Sequence, residues 1–211
     1  MSEPQISVLI VDDNAMMRIG LSQTMTVEPG VTPVGAASNG AEAFDMYLAL
    51  RPDLVIMDYQ MPYESGVDCS RRILKEDPEA KIIFFSVFES EEDIWNAVQA
   101  GVRGYLTKKA SEVDELMEAI HEVARGGTYF PAGMLRKIER RKEKPELTPR
   151  ERDVLKQLAE GRSNQEIVDA LNISLPTVKM HIVHIREKLG AQDRTQAVVI
   201  ACKQGLLRLE E

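Results

Sequence analysis

The first 110 residues alternate between short apolar runs and amphipathic stretches. The clearest apolar runs are residues 7–11, 54–57 and 81–85, and two weaker ones are residues 32–37 and 104–106. Continuous apolar runs of this length are typical of parallel strands covered on both faces. A stretch with helical periodicity follows each run, and its apolar positions are, in chain order, Met17, Leu21 and Met25; Phe44, Tyr47 and Leu48; Ile73 and Leu74; Ile94, Ala97 and Val98; and Val113, Leu116, Ile120 and Val123. Five strand–helix units in a row predict an α/β domain with a five-stranded, doubly wound parallel sheet.

The pattern changes after residue 125. Gly126 and Gly127 end the strand–helix alternation, and the segment 134–144 is basic, has few apolar positions and stops at a proline. We interpret residues 126–145 as a basic linker with room for one short solvated helix. Residues 1–125 then form the first domain.

From residue 146 onward, only helical periodicity remains. Capping-box patterns at residues 148–151 and 163–166 predict two helix starts, and Ser174 and Asp193 are suitable N-caps for two more. Four short helices in this space predict a second, smaller all-α domain over residues 146–211.

The net charge of −8 belongs to the first domain. Residues 1–125 carry 10 Lys+Arg against 22 Asp+Glu, residues 126–145 carry 6 against 2, and residues 146–211 carry 10 against 10. The neutral second domain therefore permits binding to nucleic acid without arguing for it.

The two cysteines and the apolar runs indicate where the chain resides. Cys69 and Cys202 lie far apart without metal-like spacing, which is typical of reduced thiols. The N-terminus lacks the basic-then-apolar pattern of a signal peptide, and no apolar run approaches the roughly 20 residues needed to span a bilayer. We expect a cytoplasmic protein that has no membrane partner.

Charged and hydroxyl side chains follow four of the five predicted strands. Asp12 and Asp13 follow the first strand, Asp58 the third, Ser86 the fourth and Lys108 the fifth. Ligands of open α/β sheets bind at these carboxyl ends. Three converging carboxylates repel one another unless a cation lies among them, and all-oxygen ligation suits Mg²⁺. A lysine and a hydroxyl beside the metal are what an incoming phosphoryl group requires.

Each of these residues alone has a structural explanation. An aspartate or serine after a strand often caps the next helix, and Lys108 alone is an ordinary surface charge. Their occurrence together favours one phosphoryl-transfer site.

Two other functions remain open. One is a phosphatase-like hydrolase, although that class uses Asp-x-Asp and this chain has adjacent Asp12-Asp13. The other is an interaction module that never accepts phosphate.

The same residues carry a family resemblance. The motifs Val-Asp12-Asp13, Met-Asp58-Tyr-Gln-Met-Pro with Gly66, Phe-Ser86, and Gly104-Tyr-Leu-Thr-Lys108 closely resemble the flavodoxin-like receiver domains of bacterial two-component response regulators. The resemblance implies that Asp58 accepts a phosphoryl group from the phosphohistidine of a sensor histidine kinase. It also implies that Asp13, Asp58 and the main-chain carbonyl of Gln60 hold Mg²⁺ directly, with Asp12 acting largely through water.

The resemblance assigns a role to three further residues. Ser86 and Lys108 would bind the phosphoryl oxygens. Tyr105 would be an aromatic switch that turns inward when Ser86 moves, and its alternative role is that of an aromatic side chain whose edge packs on a strand. The sequence departs from the common pattern at the bulky Val87 and Phe88, and at Lys109, where an acidic residue is frequent; bulk beside the site is expected to slow phosphoryl entry or water attack.

The second domain carries another resemblance. Leu147-Thr-Pro-Arg-Glu151-Arg-Asp-Val-Leu155, Gly161-Arg-Ser-Asn164-Gln-Glu166-Ile167, Thr177-Val-Lys179-Met-His181, and Leu189-Gly with Asp193-Arg194-Thr195 resemble the LuxR-type helix-turn-helix domain. The two resemblances cover nearly the whole chain apart from the linker. Together they are similar to the NarL/FixJ subfamily of response regulators.

The third helix of this domain has the pattern of a recognition helix. Its core stripe is Val178, Ile182, Ile185 and Leu189. A recognition helix places its N-terminal half in the major groove, where a lysine contacts guanine or phosphate and apolar side chains pack on thymine methyls. The expected DNA-contacting residues are Thr177, Lys179, Met180, Val183 and His184. A solvated helix face with ordinary charged residues is the alternative.

The fourth helix shows two apolar faces. Ala197, Ile200 and Ala201 are expected in the domain core, whereas Val198, Val199 and Cys202 lie on another side. A small domain rarely exposes such a stripe without a partner. The resemblance assigns a homodimer contact to this helix, and cover by the first domain in the inactive state is the alternative.

These patterns predict a phosphorylation-activated, DNA-binding transcription regulator rather than an enzyme. Its receiver would catalyse only its own phosphorylation and dephosphorylation. Phosphorylation would relieve inhibition between the domains and promote binding of a dimer to promoter DNA.

Overall fold

The computed structural model describes residues 5–109, 112–143 and 145–207. The chain divides into two compact units. The first unit runs to Leu135 apart from Ser90–Glu92, and the second comprises Ser90–Glu92 and the chain from Arg136.

The first unit is built from strand–helix repeats, as the periodicity predicts. Its strands are β1 (Ile6–Val11), β2 (Val31–Ala37), β3 (Leu54–Met57), β4 (Ile82–Ser86) and β5 (Gly104–Thr107). The helices between and after them are α1 (Ala15–Val27), α2 (Gly40–Leu50), α3 (Gly66–Glu76), α4 (Glu91–Gln99) and α5 (Val113–Ala124). The weaker strand candidates at 32–37 and 104–106 are therefore confirmed as β2 and β5.

The five strands form one parallel sheet in the order β2-β1-β3-β4-β5. Every residue of β3 and β4 is buried, which explains why these strands are continuous apolar runs and not alternating ones. The strand order reverses direction at β1, because β2 lies on one side of it and β3 on the other. The loops after β1 and β3 therefore open at the switch point where ligands bind in such sheets.

The segment predicted as a linker has two structural parts. Tyr129 extends the sheet at its β5 edge: its N–H donates to the carbonyl of Arg103 at 2.9 Å, and its carbonyl accepts from Tyr105 N–H at 3.0 Å. A helix, α6 (Ala132–Lys142), follows, with Met134 and Ile138 buried. The basic composition had suggested a solvated helix, but these two apolar positions, one turn apart, give α6 a covered side.

The second unit contains the four predicted helices. They are α7 (Pro149–Ala159), α8 (Asn164–Leu171), α9 (Leu175–Leu189) and α10 (Arg194–Gln204). Both predicted capping boxes are present, with Thr148 and Ser163 as N-caps, and the side chains of Ser174 and Asp193 cap α9 and α10. The apolar stripe of α9 lies on the core of this unit, as its spacing predicts.

The prediction for the core face of α10 was partly wrong. Among the described residues that pack on this core, α10 contributes Ala197, Val198, Ala201 and Cys202. Ile200 was expected in that set, and Val198 and Cys202 were expected outside it. An i, i+1, i+4, i+5 stripe covers one helix face at 100° per residue, and the small Ala197 and Ala201 let the two larger neighbours reach the core as well.

Candidate functional site

The loop after β1 presents two carboxylates in different environments. Asp12 is 2% exposed, whereas Asp13 is exposed. Asn14 caps α1 with its side chain, and its main-chain N–H donates to Asp12 Oδ1 at 2.9 Å. The turn that starts α1 therefore also orients the buried carboxylate.

Asp58 lies at the end of β3, beside β1. Its N–H donates to the carbonyl of Val11 at 2.8 Å, and the residue is 8% exposed. The loop that follows is folded back tightly, because Gly66 N–H donates to the carbonyl of Tyr59 at 2.9 Å. A Cβ on Gly66 would lie 2.0 Å from the carbonyl oxygen of Asp58. The backbone of Asp58 thus depends on a glycine eight positions later.

Lys108, from the end of β5, joins the two buried carboxylates. Its Nζ donates to Asp12 Oδ2 at 2.6 Å and to Asp58 Oδ2 at 2.7 Å. The other oxygen of Asp58, Oδ1, is buried and has no hydrogen-bond partner among the residues that the structure describes. A buried anionic oxygen without a partner is costly, so this atom is positioned for a cation or a covalent partner.

The charges of this cluster are incompletely balanced. Burial raises the pKa of Asp12 above its usual range, although the Lys108 ammonium and the Asn14 N–H act in the opposite direction. Burial of Lys108 favours its neutral form, but the hydrogen bonds to Asp12 and Asp58 outweigh that effect and raise its pKa. One ammonium shared by two carboxylates, with a third nearby, leaves an anionic site that favours a divalent cation.

The carboxylates suit Mg²⁺. One oxygen each from Asp12, Asp13 and Asp58 lies within 4.8 Å of the others. Hard oxygen donors such as these carboxylates are the ligands that Mg²⁺ prefers. Gln60, the predicted main-chain ligand, lies on the same loop as Asp58, and its side chain is exposed.

Ser86 and Tyr105 lie on neighbouring strands beside this cluster. Ser86 is fully buried, and its carbonyl accepts from Lys108 N–H at 2.9 Å. Tyr105 is also fully buried, and its hydroxyl donates to the carbonyl of Phe88 at 2.6 Å. The predicted switch residue is therefore turned inward and tied to the loop that follows Ser86.

Two residues near the site were not identified from the sequence. Tyr59 packs against Phe84, Phe88 and Tyr105, with ring centroids 5.6 to 6.3 Å apart. Its position next to Asp58 was a signal for it. Arg18 donates from Nη1 to the carbonyls of Asp12 and Asp13, and an arginine on a helix gives no such signal.

The bulky residues after Ser86 point in different directions. Val87 is 43% exposed, whereas Phe88 is half-buried and packs on Tyr59. Lys109 is exposed beside Lys108.

The outer face of α9 agrees with the predicted recognition surface in its exposure. Lys179, Met180, Val183 and His184 are exposed, with Met180 at 47% and Val183 at 45%. Thr177 is half-buried, and its hydroxyl shares a hydrogen bond with Ser174 at 2.7 Å.

His184 also lies close to a residue of α7. Its Nδ1 lies 3.7 Å from Oε1 of Glu151, a buried residue whose Oε2 accepts from Lys188 at 2.7 Å and from Thr148 N–H at 2.7 Å. Despite the cost of burial, these hydrogen bonds hold the pKa of Glu151 below its usual range.

Comparison with known proteins identifies the family. Residues 8–121 match the family described as the response regulator receiver domain, and residues 145–201 match the bacterial regulatory proteins of the luxR family. The chain belongs to the response-regulator family. It is a response regulator with a receiver and a LuxR-type DNA-binding domain, a regulator of transcription and not an enzyme in the ordinary sense.

Similar proteins match over nearly their whole length. Response regulator protein VraR of Staphylococcus aureus is 36% identical over 208 residues, which cover 96% of this chain and 99% of that protein. The crystal structure of response regulator ChrA of a heme-sensing two-component system is 32% identical, with a TM-score of 0.56 over 96% of this chain and 99% of that one. A structure of two RcsB dimers bound to two parallel DNAs is 22% identical, with a TM-score of 0.68 over 94% of this chain and 98% of that one, and shows the shared fold.

The family match excludes one of the two alternative functions considered from the sequence. The phosphatase-like hydrolase does not fit the family, so the adjacent Asp12-Asp13 pair belongs to a receiver.

In the part of the chain that the structure describes, no helix is both long and apolar enough to cross a membrane.

Proposed function

We propose that this response regulator is activated by Mg²⁺-dependent phosphorylation of Asp58. The observation that carries the proposal is the buried Oδ1 of Asp58, which has no partner among the described residues, while Lys108 binds the second oxygen of Asp58. One oxygen each of Asp12, Asp13 and Asp58 also lies within 4.8 Å of the others. This arrangement presents one nucleophilic oxygen and surrounds it with the groups that a phosphoryl transfer requires.

The residues of the site have separate roles in this proposal. An oxygen of Asp58 attacks the phosphorus of a phosphohistidine on a sensor histidine kinase; the P–O bond forms as the P–N bond breaks, and the imidazole leaves. Asp13, Asp58 and the Gln60 carbonyl would hold Mg²⁺ directly, and Asp12 would act on it largely through water. Bound Mg²⁺ supplies positive charge to the phosphoryl oxygens.

Lys108 and Ser86 stabilise the product. Lys108 spans Asp12 and Asp58 before transfer, and its ammonium then neutralises a phosphoryl oxygen. Ser86 donates its hydroxyl to another oxygen. Because Tyr105 is hydrogen-bonded to Phe88, two residues after Ser86, movement of Ser86 reaches the Tyr105 ring through that loop.

The phosphorylation test uses intact mass. Wild type incubated with Mg²⁺ and a small phosphodonor gains one phosphoryl mass, and chelation of Mg²⁺ prevents the gain. Asp58→Asn does not gain it, whereas Asp45→Asn, which changes an exposed aspartate on α2, behaves as wild type. Modification of Asp58→Asn at the wild-type rate would show that the nucleophile is wrongly assigned, and no modification of wild type would favour a pure interaction module.

We further propose that α9 reads the major groove of promoter DNA. Thr177, Lys179 and Met180 lie in the N-terminal half of α9, the half that such helices insert, and Val183 and His184 follow directly after it. Lys179 contacts a guanine edge or a phosphate, and the two apolar side chains pack on thymine methyl groups. Because Val183 is apolar, its contact with DNA is an apolar one and not a hydrogen bond.

The DNA test separates base contacts from phosphate contacts. Operator DNA is first selected from a random pool by the phosphorylated protein. Lys179→Ala then weakens binding by about 1–3 kcal/mol if Lys179 contacts a base, whereas a phosphate contact lowers the salt slope by about one. Lys156→Ala, which changes an exposed lysine on α7, is the matched control. If the Lys179→Ala, Met180→Ala double variant binds operator DNA as tightly as wild type, α9 does not lie in the major groove.

The active form is proposed to be a homodimer joined through α10. The second domain carries no net positive charge, so a single copy binds DNA weakly, and two copies on adjacent half-sites double the contacts. Val199 is 45% exposed and is the centre of this contact, while Val198 and Cys202 contribute the parts that the core leaves uncovered. Phosphorylation shifts the population toward the dimerising form.

A further inference from the structure

Arg18 donates hydrogen bonds to the main chain of the loop that carries Asp12 and Asp13, and not to their carboxylates. Its guanidinium Nη1 donates to the carbonyl of Asp12 at 2.7 Å and to the carbonyl of Asp13 at 3.0 Å. Both carbonyls precede Asn14, the N-cap of α1, and so lie before the residues of the helix. One half-buried side chain thus binds two consecutive peptide units of the site.

These two hydrogen bonds restrict the main chain that carries the two carboxylates. The carbonyls of Asp12 and Asp13 both face one guanidinium nitrogen, so the orientation of two peptide planes is set together. A Cα–Cβ bond follows the planes on either side of it, and the side chains of both aspartates are therefore restricted. The side chain of Asp12 is held separately, because Asn14 N–H donates to its Oδ1 and Lys108 donates to its Oδ2.

A different role for Arg18 would be a charge acting through space. Hydrogen bonds from Ser38 lower the pKa of Glu42, and the positive charge of Arg18 adds a smaller effect in the same direction, so this charge also acts on groups that it does not contact. A positive charge near a cation site opposes the binding of Mg²⁺. The two roles therefore predict opposite signs when the charge is removed: tighter Mg²⁺ binding for a charge alone, and weaker binding for a group that positions the ligands.

We propose that Arg18 is a positioning residue of the Mg²⁺ site, which holds the main chain of Asp12 and Asp13 so that their carboxylates meet the metal. This inference rests on the proposed Mg²⁺-dependent phosphorylation of Asp58. Groups that orient metal ligands from behind typically change metal affinity by about 10–100-fold when they are removed.

The experiment is Mg²⁺ titration of the full-length protein by calorimetry. Arg18→Met is expected to weaken Mg²⁺ binding about tenfold, because the two carbonyls lose their donor. Arg18→Lys keeps the charge and a donor but not the planar guanidinium, so its affinity is expected to lie between those of wild type and Arg18→Met. The matched control is Arg71→Met, which removes an exposed arginine of α3 that pairs with Asp68.

A second readout separates positioning from a general structural role. In phosphorylation by a small phosphodonor, Arg18→Met is expected to require more Mg²⁺ for half-maximal rate and to approach the wild-type rate at saturating Mg²⁺. A variant that only loosens the fold would lose rate at all Mg²⁺ concentrations. If Arg18→Met does not fold, Arg18→Lys decides alone: an unchanged Mg²⁺ affinity overturns the proposal, and a weakened one supports it.

The remaining outcomes are distinct. Mg²⁺ affinity in Arg18→Met that equals or exceeds that of wild type overturns the positioning role and leaves the proposed function intact. A wild-type protein that binds no Mg²⁺ overturns the proposed function and the role of Arg18 with it.

Discussion

Two glycine-to-alanine substitutions in the receiver should change stability in opposite directions. A Cβ on Gly66 would lie 2.0 Å from the carbonyl oxygen of Asp58, so one of the two segments must move by about 1.4 Å to restore an ordinary contact. A Cβ on Gly20, inside α1, meets no atom of the described residues within 4 Å. Alanine at position 66 therefore introduces strain, while alanine at position 20 only improves helix propensity.

The magnitudes follow from general values. Forced overpacking costs about 2 kcal/mol, and glycine to alanine in an open helix site stabilises by about 0.5–1 kcal/mol. With a urea dependence of about 2 kcal/mol per M, the midpoint of Gly66→Ala falls by about 1 M and that of Gly20→Ala rises by about 0.3 M. Gly66→Ala should also slow phosphorylation, because the backbone of Asp58 is displaced.

The assay is urea unfolding monitored by tryptophan fluorescence. The chain has one tryptophan, Trp95, which is half-buried on α4, so the signal reports on the first unit and not on the helical one. This matters because a protein of two units need not unfold in one step. A Gly66→Ala midpoint at or above that of wild type would refute the argument from steric contact.

Three further predictions test other parts of the structure. Lys108→Met should bind Mg²⁺ at least as tightly as wild type, because a competing cation is lost from Asp12 and Asp58, but phosphorylation should not increase its affinity for operator DNA. Calorimetry and DNA titration measure the two effects, and a large loss of Mg²⁺ affinity would contradict the prediction. Glu151→Gln should destabilise the helical unit by about 2 kcal/mol near pH 7, since hydrogen bonds to Lys188 and Thr148 are weakened. The pKa of Glu151 is lowered from 4.5, so the charged form stabilises the fold above that value, and this effect is lost as the pH falls through the folded-state pKa. In thermal unfolding followed by circular dichroism, the stabilities of wild type and Glu151→Gln should therefore converge at acid pH, and a constant difference between them would contradict the prediction. Val199→Glu should abolish cooperative DNA binding and leave Asp58 phosphorylation intact, as measured by sedimentation on operator DNA; a variant that still dimerises there would exclude α10 as the interface.

The general fold was predictable because its signals are local. Burial on both faces makes β3 and β4 continuous apolar runs, and helix caps such as Thr148 and Ser163 require particular residues at fixed spacing. The chemistry of the site was predictable for a related reason. Residues after parallel strands meet at one edge of the sheet, so sequence alone places Asp12, Asp58 and Lys108 together once the strands are recognised.

Where several contacts compete for one residue, the sequence was insufficient. The face that α10 turns to the core depends on the fit of Val198 and Cys202 beside two alanines, and hydropathy does not distinguish that fit from one that uses Ile200. His184 is exposed as a DNA-contacting residue would be, but it also lies close to Glu151, which is distant in sequence.

The sequence by itself thus determined the order of strands and helices, the two-domain organisation of a response regulator and the acidic residues of the receiver. The tertiary structure alone showed that Asp58 keeps one oxygen unpartnered, that Gly66 has no room for a side chain and that Arg18 binds the loop of the acid pair. The physical reason is the range of the interactions. Periodicity and capping act over a few residues, whereas hydrogen bonding and steric contact are decided by atoms that only folding brings together.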